Sequence, residues 1–140
     1  MRAAALAGAV LTTFALTAVP AGATPGSGVT GVIISQTTVG DKDIILREIT
    51  LAPRTGSTGW HTHDGTLYAL VKQGTLTHTF ACDKVDVYHQ GAVFSEPAGP
   101  DKVHIGQNLG DVPVVLDVVY VLPHGKPLSE DAPDPGCGFP

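Results

Sequence analysis

The sequence is short of positive charge, with eight lysines and arginines against thirteen aspartates and glutamates. That balance gives no electrostatic footing for nucleic acid or for an anionic membrane surface, both of which need a basic patch. It is also short of cysteine, having only Cys82 and Cys137. Neither belongs to a Cys-x-x-Cys pair or stands beside a histidine cluster, so a thiolate metal site is disfavoured. No Ser-His-Asp order, P-loop or dinucleotide fingerprint is present, and covalent or nucleotide-dependent catalysis therefore has no sequence basis. Candidates for acid/base chemistry are few. Asp64 reads as a turn residue beside Gly65, Glu96 as a structural or solvated group before Pro97, and Tyr68 as available only if it points inward.

The one long apolar run is N-terminal, over residues 3–19, preceded by Arg2 and followed by Ala21-Gly22-Ala23. A short positive segment, an apolar stretch and a small-x-small site describe a secretory signal peptide over residues 1–23. The run is too short and too rich in Ala, Gly and Thr to be read as a membrane-spanning anchor, so no stable membrane insertion is expected after cleavage and the protein is expected outside the cell. The formal net charge of −5 becomes one unit more negative when Arg2 is lost, which suits a small-molecule ligand better than a polyanion. Residues 24–140 are enough for one compact core but few enough that a crosslink would help. In an exported chain two cysteines read as one disulfide, Cys82 to Cys137. Closing a loop of about 55 residues stabilises by about 4 kcal/mol in the loop-entropy model.

After a glycine-rich lead-in, short runs rich in Val, Ile, Thr and Tyr follow one another at 32–37, 43–51, 60–63, 67–72, 75–80, 85–88, 92–95, 103–107 and 112–122. They are separated by Gly40-Asp41, Gly65, Gln73-Gly74, Gly91, Ala98-Gly99-Pro100 and Gly110-Asp111. None carries a helical period, and the pattern predicts an all-β antiparallel sandwich or barrel over residues 24–122. Residues 123–140 turn to Pro, Gly, Asp and Glu, with too little apolar content to bury themselves. They are expected to lie on the surface, tied back through Cys137.

Within this framework His61 and His63 stand at i and i+2, so in a strand both side chains face the same way and can converge on one ion. His104 follows a Pro/Gly-rich turn at the start of another run. Three neutral imidazoles from two strands make an open metal site. His78 has no partner at i+2 and reads as a surface or satisfied strand position, while His89 and His124 read as solvated. Trp60 falls on the face opposite His61 and His63 and is expected in packing rather than in the site.

Two sets of residues resemble the motifs of the cupin superfamily. Gly91, Pro97, Gly99, His104 and Asn108 match its second motif in order, with two extra residues between Gly99 and His104. Gly56, His61, His63 and Gly74 match the first, Gly56 standing one residue closer to His61 than usual. The resemblance implies a small type-2-like single-domain cupin, an antiparallel double-stranded β-helix or jelly-roll barrel. It further implies that His61, His63 and His104 hold a divalent ion. The motif's glutamate is replaced by Leu67, which implies a three-histidine variant with a site charge of +2 that favours anionic ligands. Leu67, Ala69 and Val71 share parity and are expected to line an apolar pocket, extended by Phe94 and Tyr120. Imidazole ligands and affinity order favour Cu or Zn, whereas the resemblance suggests Fe, Mn or Ni. The implied activity is a metal-dependent oxygenase or a lyase/isomerase on a small chelating substrate, with a non-catalytic secreted binder of a small ligand or metal as the alternative. Cupins commonly dimerise, which leaves a homodimer open.

Overall fold

The computed structural model describes residues 23–136. They form ten strands, β1 (Val29–Val39), β2 (Lys42–Leu51), β3 (His61–Thr62), β4 (Thr66–Gln73), β5 (Thr75–Phe80), β6 (Lys84–His89), β7 (Val93–Glu96), β8 (His104–Gln107), β9 (Val114–Pro123) and β10 (Glu130–Asp131). No helix occurs among the described residues, and none is therefore long and apolar enough to cross a membrane. The strands make two antiparallel five-stranded sheets, in the order β1-β2-β9-β4-β7 and β10-β3-β8-β5-β6. This is the expected all-β jelly roll.

Alternation explains how the sheets close on each other. Along β9 the side chains of Val114, Leu116, Val118, Tyr120 and Leu122 are buried while the residues between them are not. On β4, Leu67, Ala69 and Val71 point inward while Tyr68 and Leu70 are exposed. β2 contributes Ile45, Ile49 and Leu51 to the same core. A period of two puts one face of each strand against the opposing sheet, and burying these aliphatic side chains contributes about 1.5–3 kcal/mol apiece.

Observed strands differ from the expected runs mainly at their ends. The run expected at 60–63 contracts to β3, because the ladder with β8 has a single registered pair, His61 opposite His104. β10 lies in the polar tail, where no strand was expected. It pairs with β3, placing Glu130 opposite Thr62 and Asp131 opposite His61. The tail is thus part of the smaller sheet rather than a covering on it. Ala132 donates its amide to the Trp60 carbonyl at 2.8 Å, and Trp60, Ile105 and Ala132 form a second small apolar cluster away from the main core. That is where alternation sends Trp60. Residues 1–22 of the proposed leader and Cys137 lie outside the described residues.

The paired motifs serve as joints. Asn108 donates its amide to the Gly56 carbonyl at 2.8 Å, linking the two histidine-bearing segments. Its buried side chain donates to Leu51 O and Val112 O and accepts from the Gly110 amide. Gly99 donates to the His63 carbonyl at 2.9 Å. Gly59 has φ 71, and a Cβ there would strike the Thr24 carbonyl. Only glycine fits this backbone, whose carbonyl orients His61.

Candidate metal centre

His61, His63, His104 and Glu96 converge between the two sheets, each offering one donor atom, with all four donors within 4.8 Å of one another. Three come from the smaller sheet and its adjoining loop, the fourth from the edge strand of the larger sheet. The imidazole centroids are 4.3 Å apart for His61 and His104, 4.8 Å for His61 and His63, and 5.1 Å for His63 and His104. All three histidines are buried.

Each imidazole is held by its Nδ1. His61 Nδ1 is 2.8 Å from Gly59 O, His63 Nδ1 is 2.7 Å from Leu128 O, and His104 Nδ1 is 2.8 Å from Lys102 O. A carbonyl can only accept, so in each ring Nδ1 carries a proton, and in the neutral ring Nε2 then carries a lone pair. The tail therefore orients a site residue through the Leu128 carbonyl.

Glu96 is the residue that sequence reasoning missed. It was expected to be structural or solvated. Instead its Oε2 lies 3.1 Å from His63 Nε2 and 3.4 Å from His104 Nε2. The signal lay in strand register, which no motif spacing reveals. Glu96 is directly opposite Leu67 in the β4–β7 ladder, and residues so paired project to the same face with Cβ atoms about 5 Å apart. The carboxylate absent from position 67 enters the site from the neighbouring strand. A divalent ion held here would carry a site charge near +1 rather than +2.

His78 holds that carboxylate in place. Its ring is buried, with Nε2 3.0 Å from Glu96 Oε1. It is a buried strand position rather than a surface one; its Nε2 partner belongs to the site, its buried Nδ1 has no hydrogen-bond partner among the described residues, and its ring packs edge-on to Phe80 and tilted against Phe94 and His104. The other two histidines are exposed, although His124 Nδ1 lies 2.9 Å from Asp43 Oδ1 and His89 Nδ1 lies 3.2 Å from the Thr75 hydroxyl.

The electrostatics fit a cation. Burial, reinforced by the neighbouring His104 and His63, lowers His61 to about 4, so its ring is neutral at ordinary pH. Burial alone would raise the Glu96 carboxyl, but the close approach of His104, His63 and His78 holds it well below the usual range. Burial opposes protonation of His104 while the Glu96 carboxylate outweighs it, raising that ring. His63 Nε2 and His104 Nε2 are buried without a hydrogen-bond partner, although both face a carboxylate oxygen. Lone pairs meeting lone pairs at this range require a positive centre between them, either a proton or a metal ion. Three imidazoles and a carboxylate are a donor set for Fe, Mn, Ni, Zn or Cu.

Two connected sets of residues surround the cluster. An inner void of about 40 Å³ touches Leu67, Ala69, Phe94 and Tyr120 beside Glu96. An outer cavity of about 240 Å³ reaches His61 and His63 past Arg47, Thr58, Tyr120 and Asp131. Of the residues expected to line an apolar pocket, Leu67, Ala69, Phe94 and Tyr120 do so. Val71 does not: it is fully buried in the main core, the next inward position along β4 after Ala69.

The family model described as "Cupin domain" matches residues 47–121. No curated protein sequence matches the chain. Among solved structures, a cupin-like protein from Thermotoga maritima superposes with a TM-score of 0.64 at 19% identity, covering 78% of this chain and 80% of that one. The polyketide cyclase RemF from Streptomyces resistomycificus gives 0.61 at 20% identity, covering 79% and 78%. A cupin-2 domain from Rhodospirillum rubrum gives 0.61 at 13% identity, covering 76% and 66%. Identities this low speak for the fold alone, but the family match covers more than half of the sequence and contains His61, His63, Glu96 and His104. The chain belongs to the cupin domain family.

Proposed function

We propose that this protein is an exported cupin in which His61, His63, His104 and Glu96 hold one divalent metal ion, and that it acts as an oxygenase or lyase/isomerase on a small chelating molecule entering the cavity beside His61 and His63. The observation that carries the reading is the pair of buried, unpartnered Nε2 atoms aimed at a carboxylate. Once bound, the ion would act as a Lewis acid towards ligand oxygens or as a site for dioxygen. The chain's own part is to fix the imidazoles through three backbone carbonyls, to clamp Glu96 with His78, and to keep the inner void apolar through Leu67, Ala69 and Phe94. Export rests on the leader-like residues 1–23. The proposed Cys82–Cys137 bridge is supported by the position of Cys82 Sγ, 3.8 Å from the carbonyl oxygen of Pro135, two residues before Cys137.

Elemental analysis of protein reconstituted with these ions should find about one per chain, with His61→Ala or His104→Ala sharply weakening binding. No stoichiometric metal in the wild type would reject the proposal. One observation favours a non-catalytic binder instead: Glu96 has both oxygens engaged by histidines, and burial raises the Tyr120 phenol, so no buried free base adjoins the ion. Metal-loaded protein that binds small oxyanions yet neither consumes dioxygen nor exchanges their α-protons with deuterated solvent would select that second reading.

A further inference from the structure

Arg47 occupies a position that strand alternation reserves for the interior. Its neighbours of the same parity on β2, Ile45, Ile49 and Leu51, are all core residues, while Arg47 is half-buried and lines the cavity that reaches His61 and His63. Among the described residues it forms no ion pair; the acidic side chains paired with Lys42, Arg54, Lys72, Lys84, Lys102 and Lys126 are all elsewhere. Its guanidinium lies over the inner face of β1, where a Cβ at Gly31 would overlap it. It also faces Tyr120, two residue pairs along the β2–β9 ladder and on the same face, since Arg47 is opposite Val118 and Ile45 opposite Tyr120. The Tyr120 ring in turn packs edge-on to His63, with centroids 6.1 Å apart. Asp131 lines the same cavity from β10 but is exposed and does not pair with Arg47.

The half-buried Arg47 guanidinium, having no carboxylate partner among the described residues, keeps donors of its fork available to a ligand in the cavity. Carboxylate is the planar acceptor that this fork matches in bidentate fashion. We infer that Arg47, backed by Tyr120, is an anion subsite, and that the ligand of this cavity is a small organic acid with one carboxylate on Arg47 and its remaining oxygens directed to the histidine cluster. The cavity of about 240 Å³ has space equivalent to about eight waters, which suits a hydroxy- or oxo-dicarboxylate. Only the half of the ligand directed to the histidines rests on the metal reading above.

The test uses calorimetric titration of the full chain, metal-loaded and metal-free, with malate and with 2-hydroxybutanoate, which keeps the hydroxy-acid head but has a methyl group in place of the distal carboxylate. Wild type should bind malate about tenfold to a hundredfold more tightly, the range of one charge-assisted pair. Arg47→Met should erase that preference while leaving metal stoichiometry unchanged. Gly31→Ala, which keeps the charge but fills the space beneath the guanidinium, should reduce the preference as well and guards against a folding defect peculiar to the arginine variant. A wild type without preference, or variants that retain it, would overturn the anion subsite while leaving the metal reading intact. Metal-free protein that still prefers malate through Arg47, in a chain that takes up no ion, would overturn the metal reading alone.

Discussion

Replacing Glu96 with glutamine keeps the side chain's shape and leaves an amide oxygen to accept from His78, but removes the negative charge facing His63 and His104. Four-donor protein zinc sites bind with roughly 10–16 kcal/mol of apparent free energy, so one donor of four corresponds to about 3 kcal/mol, or about a hundredfold in affinity. Chelator competition should show that loss directly. Thermal unfolding should show it too: at a free ion concentration near a thousand times the wild-type dissociation constant, binding stabilises wild type by about 4 kcal/mol and the variant by about 1.4 kcal/mol. For a domain of this size these correspond to shifts of roughly 16 °C and 6 °C. The register pair gives a stricter version. Because Leu67 and Glu96 are directly opposite, exchanging them in the double variant Leu67→Glu/Glu96→Leu returns a carboxylate to the usual family position and should restore affinity to within about tenfold of wild type. Glutamine at 96 binding metal as tightly as wild type, or the exchange leaving affinity as low as the single variant, would refute the assignment of Glu96 as a ligand.

Three further outcomes are expected. His78→Phe, which preserves ring volume but cannot donate to Glu96 Oε1, should weaken metal binding about tenfold to a hundredfold without changing stoichiometry; unchanged affinity would show that His78 does not position the carboxylate. Asp43 is lowered to about 2 by hydrogen bonds from His124, Gly125 and Thr38, so its contribution to stability is complete above its unfolded value of 3.8 and is lost as pH falls through about 2. Urea unfolding of wild type against Asp43→Asn should show a gap at pH 5 that closes near pH 2, and a gap independent of pH would refute this. On the proposed Cys82–Cys137 bridge, reducing agent should lower the melting temperature of the protein, and two freely alkylated thiols in the native protein would eliminate that bridge.

The sequence by itself determined the fold class and three of the four converging side chains. Period-two burial on β2, β4 and β9 is a property of consecutive residues, and the i, i+2 spacing of His61 and His63 brings their rings to one face once a strand forms. Gly99 and Asn108 were legible from the paired motifs, whereas the part played by Gly59 in orienting His61 emerged only from its backbone angle and the approach of Thr24. What only the tertiary structure decided concerns residues that meet across strands. Glu96 reads as a lone acid before a proline until the β4–β7 register sets it against Leu67. His78 lacks a local partner because its partner is on another sheet. Arg47 looks like an ordinary charged residue in a mixed run, and becomes exceptional only when closure of the sheets puts its parity inside. The tail's composition correctly denied it a core of its own, yet it became strand β10 and supplied the Leu128 carbonyl to His63, because an unpaired edge of β3 had backbone groups to satisfy. Side-chain periodicity is written in the chain, whereas strand register and sheet closure are set by which backbone edges find each other.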